Sequence, residues 1–299
     1  MELRHLRAFV AVAEELSFSR AAARLNISQP PLSQQIKRLE REIGVPLLSR
    51  TTRSVSLTAA GEVFLHEVRA ALAGLQDATK AAHRAAAGQL GTVRLGFSGP
   101  TSYQALLTIA RTFREHRPDV RLEIVGPLYG GELVTKLIAR ETDAGLLRLP
   151  VAAPGTRVRE LARHPLVAAL PAEHPLAGRK SIGLSELRDE VWISYPAGRG
   201  SVVNQTVRDA CLAEGFAFQR KQEAPDTHTI LSLVGAGMGV GMVPNSAEHL
   251  EVPNVTLVAL DGGPYVPLGL AWRDEPPAPA LAALLGLLDE VIERMPADS

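Results

Sequence analysis

The chain has 299 residues, 46% hydrophobic and 21% charged, a composition that fits a folded soluble protein and excludes a disordered one. No apolar run approaches the ~18 residues a membrane span needs, and residues 1–5 lack the basic-then-apolar order of a secretion signal. Cys211 is the single cysteine, so no disulfide framework or cysteine-based metal site is expected, and the cytoplasm is the expected compartment. The net charge is zero, yet residues 1–58 carry nine Lys/Arg against five Asp/Glu, which leaves an acidic remainder. A basic module joined to an acidic one is what a footprint on phosphate requires.

Residues 3–16 place Leu3, Leu6, Phe9, Val10, Val12 and Ala13 on one helical stripe. Ser17 or Ser19 can cap a second helix whose alanines let a neighbour approach closely. Asn26-Ile27-Ser28 is a turn, and Gln29-Pro30-Pro31 opens a third helix, whose first turn has no use for the N–H that proline lacks. Leu32, Ile36, Leu39 and Ile43 make its inward stripe, Ser33, Gln34, Lys37 and Arg41 face outward, and Gly44 stops it. Residues 49–58 alternate polar and apolar and predict a short β-hairpin, a wing, carrying Arg50 and Arg53.

The order Phe18-Ser19-Arg20-Ala21-Ala22, Leu25, Ser28-Gln29-Pro30, Leu32-Ser33, Ile36, Leu39-Glu40, Gly44-Val45-Pro46-Leu47, Arg50, Leu57-Thr58, Ala60-Gly61 strongly resembles the LysR-type transcriptional regulators. The resemblance is dense over the first ~60 residues, and the later part of the chain matches in outline. It implies double-stranded DNA as partner, with a recognition helix in the major groove. The expected DNA-binding residues are Ser28, Gln29, Pro30, Pro31, Ser33, Gln34, Lys37, Arg50 and Arg53. Gln34 suits an adenine edge and Lys37 a guanine acceptor or a phosphate. The family often has arginine where this chain has Gln34, so its base preference should differ.

Residues 59–87 form a long helix without proline, in which Leu65, Val68, Leu72, Leu75, Thr79, Ala82 and Ala86 keep a heptad rhythm suited to pairing with a copy of itself, the alternative being a helix packed on its own domain. The resemblance implies a linker helix used for dimerisation, homotetramers that bridge two sites, and a two-fold operator. RNA polymerase is a further candidate partner. Members commonly lie beside the genes they control and repress their own transcription.

From residue 92 strands and helices alternate, which implies mostly parallel sheets with helices on both faces. Strands are expected at 93–97, 121–125, 143–147, 166–170, 191–194, 255–260 and 268–272. Helices are expected at 102–116, 132–140, 201–214, 229–236 and 279–294. The resemblance implies two lobes like a periplasmic binding protein, joined by crossings near 158–163 and 265–269. The expected fold is therefore an all-α winged helix-turn-helix (1–58), a linker helix (59–90) and an α/β effector-binding domain (91–299). Lobe 1 would comprise 91–161 and 267–299, and lobe 2 would comprise 162–266.

Clefts between such lobes favour ligands at helix N-termini, whose free N–H groups suit carboxylates. Polar helix starts lie at 98–102, 198–201 and 226–229. Leu147-Arg148-Leu149-Pro150, Ser194-Tyr195-Pro196 and the glycine-rich stretch from Leu231 resemble the subgroup that senses aromatic acids or muconates. Pro100 and Tyr129-Gly130-Gly131 depart from it by removing hydroxyls and leaving room. The expected effector-binding residues are Ser98, Pro100, Thr101, Ser102, Gly130, Arg148, Tyr195, Arg199, Ser201 and Thr227. No cofactor is expected beyond a small-molecule co-inducer. An enzyme is disfavoured, because Gly235 to Gly241 follows a helix, leads into a strand and lacks nucleotide-loop spacing. His164, His174, His228 and His249 show no metal-ligand spacing. A purely architectural DNA-binding protein would have no use for the two lobes.

Overall fold

The computed structural model describes residues 1–50, 55–150, 153–217 and 220–295, except the side chains of Thr101 and Arg220. The chain divides into two compact units, Met1–His83 and Arg84–Ser299.

In the first unit α1 (Leu3–Glu15), α2 (Phe18–Arg24) and α3 (Gln29–Ile43) pack about Phe9, Val12, Ala21, Leu32, Ile36 and Leu39. Ser17 caps α2 by accepting from the Arg20 N–H at 3.4 Å. Gly44 ends α3 at φ +83°, which a residue with a Cβ adopts only at a cost. Leu3 departs from the expected stripe; it lies in the first turn of α1 and is 47% exposed. β1 (Leu48–Arg50) and β2 (Val55–Leu57) pair antiparallel as the wing, with Arg53 outside the described residues. Glu14 on α1 binds Arg69 at 2.6 Å and Arg24 at 2.7 Å. It thereby ties α2 and the start of α4 (Ala59–Ala86) to α1.

Arg69, and after it Arg24, hold the Glu14 carboxyl below its ordinary 4.5. A depressed carboxyl stabilises the fold above its unfolded pKa and loses that contribution as pH falls through the folded value. Glu14→Gln should therefore lower the thermal midpoint at pH 6–7. The gap from the parent should close as pH falls below 4.5, which circular dichroism melts would follow. A gap that persisted into acid would contradict this origin.

The heptad seam of α4 is only half open. Val68 is buried in the first unit's own core, with Leu65 and Leu72 packed on it. Leu75, Thr79, Ala82 and Ala86 are exposed. The expectation of a continuous self-pairing seam is thus corrected over its first half, because the wing and α1 already cover it.

In the second unit β3 (Gly91–Phe97), α5 (Tyr103–His116), β4 (Val120–Val125), α6 (Gly130–Ile138) and β5 (Ala144–Arg148) begin lobe 1. β6 (Thr156–Pro171) crosses into lobe 2, which holds β7 (Ser181–Ile182), β8 (Trp192–Ser194), α7 (Val202–Ala213), β9 (Arg220–Glu223), α8 (Thr227–Gly235), β10 (Val240–Pro244) and β11 (Val255–Leu260). β12 (Tyr265–Arg273) returns, and α9 (Pro279–Leu285) and α10 (Leu288–Arg294) complete lobe 1. The strand order is β4-β3-β5-β12-β6-β10-β8-β9, with β11 also on β6. β6 pairs with β12 through Pro165 and changes partner to β10 at Leu166. These two strands are the double crossing.

Lobe 1 buries Leu95, Ile109, Phe113, Leu281, Leu284 and Leu288 on one face of its sheet, and Leu133 and Leu137 of α6 on the other. Gly96 and Gly145 admit α6; a Cβ on either would meet the Leu133 side chain within 3 Å. Lobe 2 buries Trp192, Ile193, Val207, Cys211, Ile230 and Val234.

Three sequence readings need correction. The last helix, expected to run unbroken over 279–294, breaks at Gly286, the weakest helix former inside the segment once Pro279 sits harmlessly in the first turn. β9 and β7 were not expected; β9 reads Arg-Lys-Gln-Glu, the polar character of an edge strand that has no apolar face to reveal it. Residues 227–228 belong to α8, because Asp226, and not a later residue, caps it by accepting from the Thr229 N–H at 2.9 Å.

Candidate functional sites

On the first unit, Ser28, Gln29, Pro30, Pro31, Gln34 and Lys37 are exposed along the start and outer face of α3, with Ser33 half-buried beside them. Gln29 accepts from the Ser19 hydroxyl at 3.3 Å. Among the described residues Lys37 forms no ion pair, so its charge is uncommitted. Arg50 differs. Its guanidinium donates to Glu40 at 2.8 Å and lies 4.9 Å from the Phe18 ring centroid. Glu40, on the inner side of α3, also accepts from the Leu47 and Leu48 amides at 3.0 and 3.1 Å. One carboxylate thus pins the base of the wing to α3, a role the sequence did not reveal.

The second unit has a cleft of about 250 Å³ between its lobes. Eight of the ten expected effector residues line it: Ser98, Pro100, Gly130, Arg148, Tyr195, Arg199, Ser201 and Thr227. Ser102 does not; it is fully buried and its hydroxyl donates to the Ser98 carbonyl at 2.9 Å, closing the turn before α5. The side chain of Thr101 lies outside the described residues. Gly99, Pro127, Leu128, Tyr129, Gly200, Val202, Val203, Pro225 and Asp226 complete the wall. Most of these are apolar neighbours of the polar helix starts and carry no signal of their own in the sequence.

The amino ends of α5 (through a short 3-10 turn, Pro100–Ser102), α6, α7 and α8 all open on this cleft. In parallel sheets the loops at strand carboxyl ends lead into helices, so free N–H groups and partial positive charge converge there. The polar groups are held in place. Ser201 accepts from the Asn204 N–H at 3.2 Å, and buried Asn204 donates to Ser194 Oγ at 3.0 Å and to the Tyr195 carbonyl at 2.7 Å. Tyr195 shares a 2.7 Å hydrogen bond with Thr227, and burial pushes its phenol up to about 12, so it stays protonated. Arg148, 8% exposed, donates to His164 Nδ1 at 2.5 Å, Ser246 Oγ at 3.2 Å and the Val266 carbonyl at 3.3 Å.

The glycine-rich stretch is not a nucleotide loop: Gly237 at φ +74° and Gly239 at φ +150° turn the chain from α8 into β10. Glu115, His116 and Glu290 lie close enough to share a cation. Arg294 already bonds both carboxylates at 2.5 and 2.6 Å, which makes the group an ion-pair network.

A winged helix-turn-helix and a separate two-lobed domain with a polar-ended cleft define a ligand-controlled DNA-binding regulator. Known proteins agree. Residues 3–62 match the family of bacterial regulatory helix-turn-helix proteins, lysR family, and residues 86–293 match the LysR substrate binding domain. The chain belongs to the LysR family of transcriptional regulators. It is 40% identical to the HTH-type transcriptional regulator AlsR of Bacillus subtilis strain 168, over 91% of this chain and 89% of that one. It is 38% identical to the regulator ShiR of Corynebacterium glutamicum strain R, over 91% and 92%. The crystal structure of full-length CbnR complexed with its target DNA superposes with a TM-score of 0.84 at 27% identity, covering 98% of this chain and all of that one. The protein is a DNA-binding transcriptional regulator with an effector-binding domain, and not an enzyme.

Proposed function

We infer that the cleft takes a small anionic effector with an apolar body, of the kind sensed by the aromatic-acid subgroup, and that its occupancy controls operator binding. The observation that carries this is the convergence of four helix amino ends, with Arg148 and Arg199, on one cleft whose remaining wall is largely apolar. In this reading Ser98, Pro100, Thr101, Gly130, Tyr195, Ser201 and Thr227 contact the effector, and Ser102 supports the turn that presents them.

On DNA, Ser28, Gln29, Pro30, Pro31, Ser33, Gln34 and Lys37 would enter the major groove, with Arg53 reaching the backbone or minor groove and Arg50 setting the wing's position. A symmetric dimer places two recognition helices about 34–36 Å apart, and a two-fold operator follows. The exposed half of the α4 seam supports the homodimer, and membership of the family supports a homotetramer and contact with RNA polymerase. The proposed division is 1–58, 59–90 and 91–299, and the proposed compartment is the cytoplasm. Among the described residues no helix is long and apolar enough to cross a membrane.

Binding of the purified protein to the DNA just upstream of its own gene, across a salt series, tests the DNA half. A protected two-fold site with affinity falling as salt rises is expected; no preference over random duplex would count against an operator there. Small carboxylates added to the same assay test the cleft. Gln34→Ala should alter which operator bases are preferred more than it alters overall affinity. Comparable losses on specific and random duplexes would contradict that.

A further inference from the structure

The two lobes also touch on the solvent-exposed side of the cleft. Tyr129, at the start of α6 in lobe 1, donates its hydroxyl to the Pro225 carbonyl of lobe 2 at 2.7 Å. Arg199, from lobe 2, lays its guanidinium 4.0 Å from the Tyr129 ring centroid and donates to Glu132 Oε1 at 2.6 Å. The backbones approach as well: a Cβ on Gly200 would lie 3.6 Å from the Gly131 nitrogen. The space expected beside Gly130 and Gly131 is thus taken by the opposite lobe, and these contacts form a lip.

Two features make the lip changeable. Arg199 is one of the residues lining the cleft, and its guanidinium is the group that bridges the lip. Its partner Glu132 divides its carboxylate, with Oε2 accepting from the Tyr129 amide at 3.2 Å. That amide, and then Arg199, hold the Glu132 carboxyl below its usual range, so it is an anion at neutral pH. The two side chains are 51% and 42% exposed, and pairs so placed hold weakly. An arginine fork accepts any carboxylate of suitable geometry, so a bound anion competes with Glu132 on nearly equal terms.

We propose that Arg199 is a two-position residue, held across the lip by Glu132 and Tyr129 in one position and, in the other, drawn from Glu132 by the carboxylate of a small effector with a compact apolar body. This rests on the reading of the cleft as the effector site and assigns within it the residue that exchanges partners. Pro127, Leu128, Val202 and Val203 receive the apolar body. Binding then exchanges one ion pair for another and leaves the Glu132 oxygen to solvent, so occupancy is coupled to the state of the lip.

Calorimetric titration of the full-length protein with benzoate, and with benzamide as its uncharged match, tests the exchange. The proteins compared are the parent, Glu132→Gln, Arg199→Ala and the double variant, with thermal melts checking that each is folded. The Glu132→Gln side chain keeps an acceptor for the Tyr129 amide, so the start of α6 survives. Benzoate should bind Glu132→Gln roughly three- to five-fold more tightly than the parent, the scale of an exposed ion pair. That gain should vanish in the Arg199→Ala background and be absent with benzamide. An equal gain in both backgrounds would mean that Glu132 merely repels anions, and would overturn the exchange. Equal benzoate affinity in all four proteins would leave the cleft an anion site and remove the role of Arg199. Benzoate bound by none of them would reject the carboxylate class and the exchange together.

Discussion

Glu40→Ala should destabilise the N-terminal unit by about 2–3 kcal/mol and weaken operator binding roughly ten-fold. The carboxylate is the acceptor for two backbone amides, those of Leu47 and Leu48, which belong to nearly fully buried residues. Truncation leaves both N–H groups without that partner in a segment that water reaches poorly, and such orphaned donors cost far more than the net worth of a hydrogen bond. It also releases Arg50 from that carboxylate, leaving the stacking on Phe18. The wing then loses its fixed position relative to α3, so phosphate contacts and base contacts no longer fall in register. Glu40→Gln separates the two effects. It retains an acceptor for the amides and removes the charge that holds Arg50, so it should recover most of the stability and only part of the affinity. Chemical unfolding monitored at the N-terminal unit and titration of operator DNA would read both. An alanine variant within about 0.5 kcal/mol of the parent, a shift expected of an ordinary surface substitution, would contradict the role given to Glu40.

Arg148→Met should cost the C-terminal unit about 3 kcal/mol, or roughly 6–12 °C in its unfolding temperature. Arg148 ends β5 in lobe 1 and donates to Ser246 in lobe 2, as well as to His164 and Val266 on the two crossing strands. It therefore ties the lobes together at the place where the chain passes between them. Methionine conserves much of the length but donates no hydrogen bond, so the three bonds that Arg148 makes across this junction are lost without replacement from the new side chain. Differential scanning calorimetry of the full chain would show the loss in the transition of the larger unit. An unchanged transition would mean that Arg148 is held for the ligand alone. The lip at Arg199 and the tie at Arg148 differ in kind: the first is exposed and weak, the second buried and costly to break.

Much of the N-terminal unit was legible because its signals are local. The stripe of Leu32, Ile36 and Leu39, prolines in a first turn, a glycine at φ +83° after α3 and alternation through the wing each report on a few consecutive residues. Membership of the family followed from the same residues, because their identities and spacing repeat the motifs of the lysR-family helix-turn-helix that residues 3–62 match. Alternating strands and helices also announced an α/β domain, because buried parallel strands must be apolar whatever their partners.

What the tertiary structure alone decided depends on residues far apart in the chain. Glu40 looks like any surface acid of a helix until the wing folds back to place two amides on it. Polar β9 is a strand only because β8 offers it an edge. Ser98, Ser102 and Arg199 all stood out as lying at polar helix starts, yet burial turned Ser102 into a turn-closing group, and the approach of the lobes set Arg199 against Glu132, 67 residues away in sequence. Local patterns determine which elements form, because hydrogen bonding and periodic burial act over a few residues. Which charges meet across a cleft depends on how two lobes close, and no short stretch of this sequence encodes that.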